Sequence, residues 1–377
     1  MFMSSIAYLT NSSAHSGVGQ YALELKKAWP DSGFHLREFS LQGTSLHIDG
    51  VQRTSIRSWP AGLGAKSIGW VRLGRRLPSL LTNEALVHAT NQTLSFIKTS
   101  KPLVVTVHDI VEMLQPQDKM AFYVNRYLYS GIERAEHVMV VSEYTKKTVM
   151  DYYGLPGDNI SVIYNGVNRA VFYPIEHFKE TVGYKTLVRE LGVTGKQPVI
   201  LYVGSDHPRK NLPVALQAFA GLLPQYPQAV FLKVGAAGLP SGRAATLDTV
   251  DKLSIREHVK FIGDVSDERL NELYNSADVF VFPSRFEGFG MPPLQAMASG
   301  LPVVTANITS LPEVVGQAAL MHDPDDVAAF TASMLEIIQR QDVADRLAQA
   351  GIAQAKKFSW EEAAKATAAV YRKYALL

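Results

Sequence analysis

Short apolar runs separated by polar, glycine-bearing turns recur along the whole chain, at lengths that suit buried strands. In the first half they are SSIAYLT (4–10), ALVHA (85–89), LVVTV (103–107), HVMVVS (137–142) and ISVIY (160–164). In the second they are PVILYV (198–203), AVFLKV (229–234), VKFI (259–262), ADVFVF (277–282), the strand at 301–305 and a last piece at 318–321. Helical spacing fills 20–29, 119–135, 143–153 after a capping Ser142, 213–223 and 266–276. Between 33 and 81 the pattern is mixed, and after Asn168 it loosens. Alternation of strand and helix predicts an α/β protein of two doubly wound domains with parallel sheets. The boundaries expected are 1–170, a linker at 171–195, 196–356, and a C-terminal helix at 357–377 packing back on the first domain.

Open α/β sheets bind ligands beyond the C-terminal ends of their strands, so the residues there carry the candidate chemistry. The stretch PSRFEGFGMPPLQAMASGLPVV (283–304) leaves the strand ADVFVF through a turn holding Glu287, Gly288 and Gly290. It enters a helix at Pro292 or Pro293, where a missing N–H is harmless, and stops at Gly300. Such a turn lets backbone amides and a helix N-terminus approach a phosphate or a sugar, although a ligand-free βα connection has the same outline. Arg209 and Lys210 follow the strand PVILYV, where two adjacent cations can hold a diphosphate, arginine in a bidentate manner and lysine as a mobile point charge. His108, at the end of LVVTV, is better placed than His88 or His137. The loop NSSAHSGVG (11–19) repeats this logic near the start without the spacing of a dinucleotide fingerprint.

Composition narrows the classes further. A chain of 377 residues suggests two domains, and 47% hydrophobic with 19% charged residues is a globular composition. A net charge of +2 argues against a nucleic-acid binder. Residues 1–175 hold 17 Lys and Arg against 13 Asp and Glu, so the first half is the mildly basic one. The absence of cysteine removes disulfides and thiolate chemistry. No apolar run approaches the roughly 18 residues of a membrane span, and the start lacks the look of a signal peptide, so a cytoplasmic protein is expected. Basic and aromatic residues interleaved from Arg53 to Leu77 suit either a solvated face or a peripheral contact with the inner face of a membrane.

Taken in order, HSGVGQY, VVTVHD, IYNGVN, VGSDHPRKNL, ADVFVFPSRFEGFGMPPLQAMASGLPVV and SLPEVVG resemble a retaining GT-B glycosyltransferase of glycosyltransferase family 4 over nearly the whole chain. The resemblance implies two Rossmann-like domains facing each other across a cleft, the second holding a nucleotide-sugar. It implies that Arg209 and Lys210 bind the donor diphosphate, that Glu287 is the first glutamate of an E-x7-E motif on the donor sugar, and that His108 lies near that sugar. It extends the donor-binding set to Gly17, Gly19, Gly204, Gly263, Gly288, Phe289, Gly290, Met291 and Leu294. Where the family carries its second glutamate, on the ribose, this chain has Gln295. A glutamine can still bond ribose hydroxyls, through neutral and weaker bonds.

The activity implied is metal-independent transfer of a hexose, from GDP-mannose or UDP-glucose, to a sugar or lipid-linked acceptor in polysaccharide, O-antigen or glycolipid assembly. No cofactor is expected. The DxD-like run at Asp323–Asp326 reads as a helix cap. Alternatives left open are another GT-B enzyme, such as a sugar phosphorylase or nucleotide-sugar epimerase, and a non-enzymatic two-domain sugar binder.

Overall fold

The computed structural model describes residues 4–11, 17–42, 45–55, 74–81, 83–192, 197–238 and 240–375. The chain divides into two compact units, Met1–Gly166 with Ser359–Leu377, and Val167–Phe358.

Among the described residues the first unit has one eight-stranded sheet. Its strands are β1 (Ser4–Thr10), β2 (Phe34–Gln42), β3 (Ser45–Ile48), β4 (Val51–Ser55), β5 (Glu84–Ala89), β6 (Leu103–Val107), β7 (His137–Val140) and β8 (Ile160–Val162). They lie in the order β4-β3-β2-β1-β5-β6-β7-β8, parallel from β2 to β8, with β3 and β4 added antiparallel. In the central strands residues of both faces are buried, Ile6 and Tyr8 on one and Ala7 and Leu9 on the other, as expected of a parallel sheet covered on both sides. The mixed region hid β2 because Arg37 and Glu38 sit mid-strand. Arg37 is 2.6 Å from the buried Glu84, and Glu38 2.7 Å from Lys26, so neither charge interrupts the sheet. Between β3 and β4, Asp49 and Gly50 both take positive φ (50° and 79°), the Asp-Gly hairpin signal.

The second unit, among the described residues, has a six-stranded parallel sheet. It comprises β9 (Val199–Val203), β10 (Val230–Val234), β11 (Val259–Ile262), β12 (Val279–Phe282), β13 (Val303–Ala306) and β14 (Ala319–His322), ordered β11-β10-β9-β12-β13-β14. Counted within the unit this is the doubly wound order 3-2-1-4-5-6, with its switch point between β9 and β12. The corresponding switch in the first unit lies between β1 and β5.

The segment expected as a linker is largely built into the second unit. Thr181 caps a helix at Val182–Leu191 by accepting from the Tyr184 N–H, Gly192 ends it at φ 65°, and Leu187 is fully buried. Lys179 reaches Asp278 at 2.7 Å. The chain re-enters the first unit as the helix Trp360–Tyr374, which packs on the helix Gly17–Lys27. A Cβ on Gly166 would fall 2.2 Å from the Trp360 nitrogen, so the glycine of IYNGVN allows the two segments to touch.

Candidate functional site

The switch point of the second unit brings together two stretches 77 residues apart in the chain. After β9, Pro208–Lys210 forms a single 3-10 turn whose carbonyl at Arg209 accepts from the Arg285 N–H at 2.8 Å and from the Ser284 hydroxyl at 3.2 Å. This stitches the turn to the loop that follows β12. Across the seam the Lys210 ammonium donates to Glu287 Oε1 at 2.6 Å, and the Arg209 guanidinium lies 3.6 Å from Glu287 Oε2 while donating to the Phe286 carbonyl at 2.9 Å. The Tyr202 hydroxyl donates to the Lys210 carbonyl from below, at 3.1 Å.

Glu287 is 6% exposed. Burial alone would raise its pKa, but Lys210 first and Arg209 next outweigh burial and hold the carboxyl below the usual glutamate value. Its loop is held by Ser310, whose hydroxyl donates to the carbonyls of Glu287 (3.0 Å) and Phe289 (2.8 Å), and by Thr309, which accepts from the Glu287 N–H at 3.3 Å. Ser310 opens SLPEVVG and Thr309 precedes it, a motif visible in the sequence whose use was not. Gly290 takes φ 113° at the start of the helix Met291–Ala298, and a Cβ there would come 2.9 Å from Leu311 Cδ2. Only glycine suits that corner.

Around this centre the remaining expected positions differ in what they present. Gln295 is buried on the helix Met291–Ala298, where its Oε1 accepts from the Tyr274 hydroxyl at 3.4 Å. Leu294 is fully buried and Phe289 packs edge-on to Phe358, so their side chains serve the core. Met291 is half-buried. Gly204 follows β9, its position 3.3 Å from the Tyr202 hydroxyl if it carried a Cβ, whereas a Cβ on Gly263, after β11, would meet nothing within 4 Å. Asp326 caps the helix Val327–Gln339 by accepting from the Ala329 N–H, which gives the acidic run at 323–326 a structural use. Among the described residues no group of three or more His, Asp or Glu side chains is arranged to hold a metal ion.

In the first unit His108 stands just past β6. Its Nε2–H donates to the Thr90 carbonyl at 2.9 Å, which leaves Nδ1 as the acceptor nitrogen of the neutral ring. Burial lowers its pKa, against the opposing pull of the Thr90 carbonyl and Asp109. The Tyr21 ring meets it edge-on at 4.8 Å. His88 is fully buried between the Tyr371 hydroxyl (2.6 Å) and Thr106 (2.8 Å), and His137 between Ser161 (2.8 Å) and Tyr374 (3.1 Å), so both are structural. Gly17 and Gly19 were expected in a loop; they lie in the first turn of the helix Gly17–Lys27 instead. Most of the basic and aromatic stretch between Arg53 and Leu77 falls in 56–73, outside the described residues.

Residues 15–171 match the family described as Glycosyltransferase Family 4, and residues 184–354 the one described as Glycosyl transferases group 1. The chain belongs to the GT-B glycosyltransferases of family 4. Relatives of this glycosyltransferase include O-antigen chain mannosyltransferase B of Escherichia coli, 29% identical over 380 aligned residues that cover 95% of this chain and 96% of that protein. The serotype-specific mannosyltransferase WbdA of Escherichia coli is 30% identical over 292 residues, 74% of this chain but 34% of WbdA. Two solved structures share the fold. Sucrose-phosphate synthase from Thermosynechococcus elongatus superposes with a TM-score of 0.79 at 21% identity, over 98% of both chains. Anabaena Alr3699/HepE in complex with UDP and glucose superposes with a TM-score of 0.76 at 19% identity, over 98% of this chain and 99% of that one. Among the described residues of the glycosyltransferase, no helix is long and apolar enough to cross a membrane.

Proposed function

We propose that this glycosyltransferase moves a hexose, mannose ahead of glucose, from a nucleoside-diphosphate sugar to an acceptor hydroxyl with retention of anomeric configuration. The observation that carries the reading is the Lys210–Glu287–Arg209 cluster at the switch point of the second unit, a buried carboxylate beside two cations where such sheets receive their ligands. The mannosyltransferase names of the relatives support mannose, and their O-antigen names support a role in surface-polysaccharide assembly on a sugar or lipid-linked sugar.

In this reading the bond between the sugar C1 and the diphosphate oxygen breaks as the acceptor oxygen bonds to C1, and the acceptor proton leaves with the products. Negative charge grows on the departing diphosphate. Arg209 and Lys210, exchanging Glu287 for the diphosphate, stabilise it, and the Met291 N–H at the start of the helix Met291–Ala298 adds to the positive field. Glu287, ionised at neutral pH, accepts from donor-sugar hydroxyls. Gln295 holds the ribose through neutral bonds. In the first unit His108 Nδ1 offers an acceptor to a sugar hydroxyl. The cations beside Glu287 take the charge-neutralising part, so the reaction needs no metal.

The test is product analysis with GDP-mannose or UDP-glucose and a mannose-terminated acceptor, in the presence and absence of a chelator. Release of nucleoside diphosphate with a new glycosidic bond of the donor's configuration, undiminished by chelator, is expected. An inverted linkage would remove the retaining mechanism. A requirement for inorganic phosphate, or an epimerised sugar without acceptor, would move the enzyme to a sugar phosphorylase or an epimerase.

A further inference from the structure

Lys233 lies in β10 with no exposed side-chain surface, where an apolar residue is ordinarily the cheaper choice. Its ammonium is 2.6 Å from Asp206 Oδ1 and donates to the carbonyls of Gly235 (2.8 Å) and Ala236 (3.0 Å). Burial draws its pKa below that of a free lysine, against the pull of Asp206. Arg243, on the helix Pro240–Lys252, brings Nε within 2.6 Å of Asp206 Oδ2 and lays its guanidinium over the Phe261 ring at 4.5 Å. The Ala236 N–H continues the network to Asp264 Oδ1 at 2.9 Å. The backbones are equally close: a Cβ on Gly242 would fall 2.1 Å from the Asp206 carbonyl oxygen.

Asp206 is therefore the point where the loop after β9 is tied to β10, to the loop after β10 and to the helix Pro240–Lys252. It stands three residues before Arg209. The intervening His207 accepts from the Arg209 N–H at its Nδ1 (3.3 Å) and from the Lys210 N–H at its carbonyl (2.9 Å), so whatever fixes Asp206 also fixes the base of the turn. Stability alone does not call for such a cluster, because buried ion pairs are commonly replaced by apolar residues without loss. A turn that must present two cations in fixed places gains from being held before its ligand arrives.

We propose that Asp206, clamped by Lys233 and Arg243, is a positioning residue for the turn that carries Arg209 and Lys210. The inference rests on the reading of that turn as the diphosphate anchor. Its effect passes through Lys210 and Arg209, so it belongs in donor binding and not in the chemical step alone.

The experiment is a double-mutant cycle on donor KM and on the Kd for GDP and UDP. Asp206→Asn in the otherwise wild-type enzyme is expected to raise donor KM about tenfold while kcat changes less, and to add under about threefold when Lys210→Ala is already present. Arg243→Ala, on a side chain that is partly exposed, is the gentler variant, with an expected increase of about threefold and the same non-additivity; it decides alone if Asp206→Asn does not fold. Unchanged donor KM and Kd in folded variants would overturn the proposal, and so would a full additional loss on top of Lys210→Ala, which marks a purely structural role. A wild-type enzyme that binds neither GDP nor UDP overturns the underlying reading as well, a result distinct from wild-type binding with unmoved variants.

Discussion

The two units use the same strand ends in opposite electrostatic ways. At the strand ends of the first, the groups described above are neutral: His88, Thr106, Tyr21 and Tyr371 form a hydrogen-bonded chain, and burial keeps His108 neutral against the pull of the Thr90 carbonyl and Asp109. In the second they are charged and paired, Glu287 with Lys210 and Arg209, Asp206 with Lys233 and Arg243. Both sheets have a switch point, and among the described residues it is the second whose strand ends carry paired cations. Neutral acceptors suit sugar hydroxyls; paired cations suit a diphosphate, which can take over from Glu287 as their partner.

The contrast is sharpest in acid. Burial lowers His88 to about 3 from an ordinary value of 6.5. Between those limits the unfolded chain binds a proton that the folded state refuses, so stability is complete above the ordinary histidine pKa and falls as pH drops through the window, by roughly 5 kcal/mol in all. His137, lowered to about 4, acts in the same direction. Glu287 behaves differently: its pKa is depressed, so its ion pairs persist until pH falls below the ordinary glutamate range. Denaturant unfolding between pH 7 and pH 4.5 should show stability falling with pH, with a shallower slope in His88→Gln; equal slopes would remove the histidine account.

Next in size is the ionic centre itself. Glu287→Ala and Lys210→Ala are each expected to lower turnover by on the order of 100-fold, comparable to losing one oxyanion donor. Alanine variants with near-normal turnover, measured by nucleoside diphosphate release, would refute the assignment. A smaller, mainly structural effect is expected at Gly290, where alanine faces both the positive φ and the Leu311 contact; the loss is about 1 to 3 kcal/mol by denaturant unfolding, with donor affinity falling in parallel. Least is expected at Gln295. Tyr274 can donate to a glutamate as it does to the glutamine, so Gln295→Glu should bind donor nucleotide at least as tightly, up to about tenfold tighter through a charge-assisted bond to ribose. A large loss of affinity by calorimetry would show that position 295 does not face the ribose.

Most of the parallel sheet could be read directly, because strands buried on both faces are short apolar runs and nothing else in the chain resembles them. The strands at 34–55 could not, because Arg37 and Glu38 break β2 and their partners Glu84 and Lys26 are distant in sequence. The helix Val182–Leu191 carried its signals in Thr181 and Gly192, yet the loosened apolar pattern after Asn168 read as a linker. Arg209, Lys210, Glu287 and His108 were legible from their places at strand ends. The supports were not: Ser310 bonds to carbonyls of a loop more than twenty residues away, and Lys233 inside VFLKV passes for an ordinary strand residue until Asp206 is seen beside it.

Thermal unfolding of the wild-type enzyme and of Lys210→Ala, each with GDP, UDP and ADP, tests the central claim most directly. A nucleotide present at about 100 times its dissociation constant adds roughly 2.7 kcal/mol of stability. The wild type should be stabilised by at least one nucleoside diphosphate, with GDP foremost, and Lys210→Ala should lose most of that shift. No stabilisation by any of the three, or an equal shift in the variant, would contradict the assignment of the Lys210–Glu287–Arg209 cluster to the donor diphosphate.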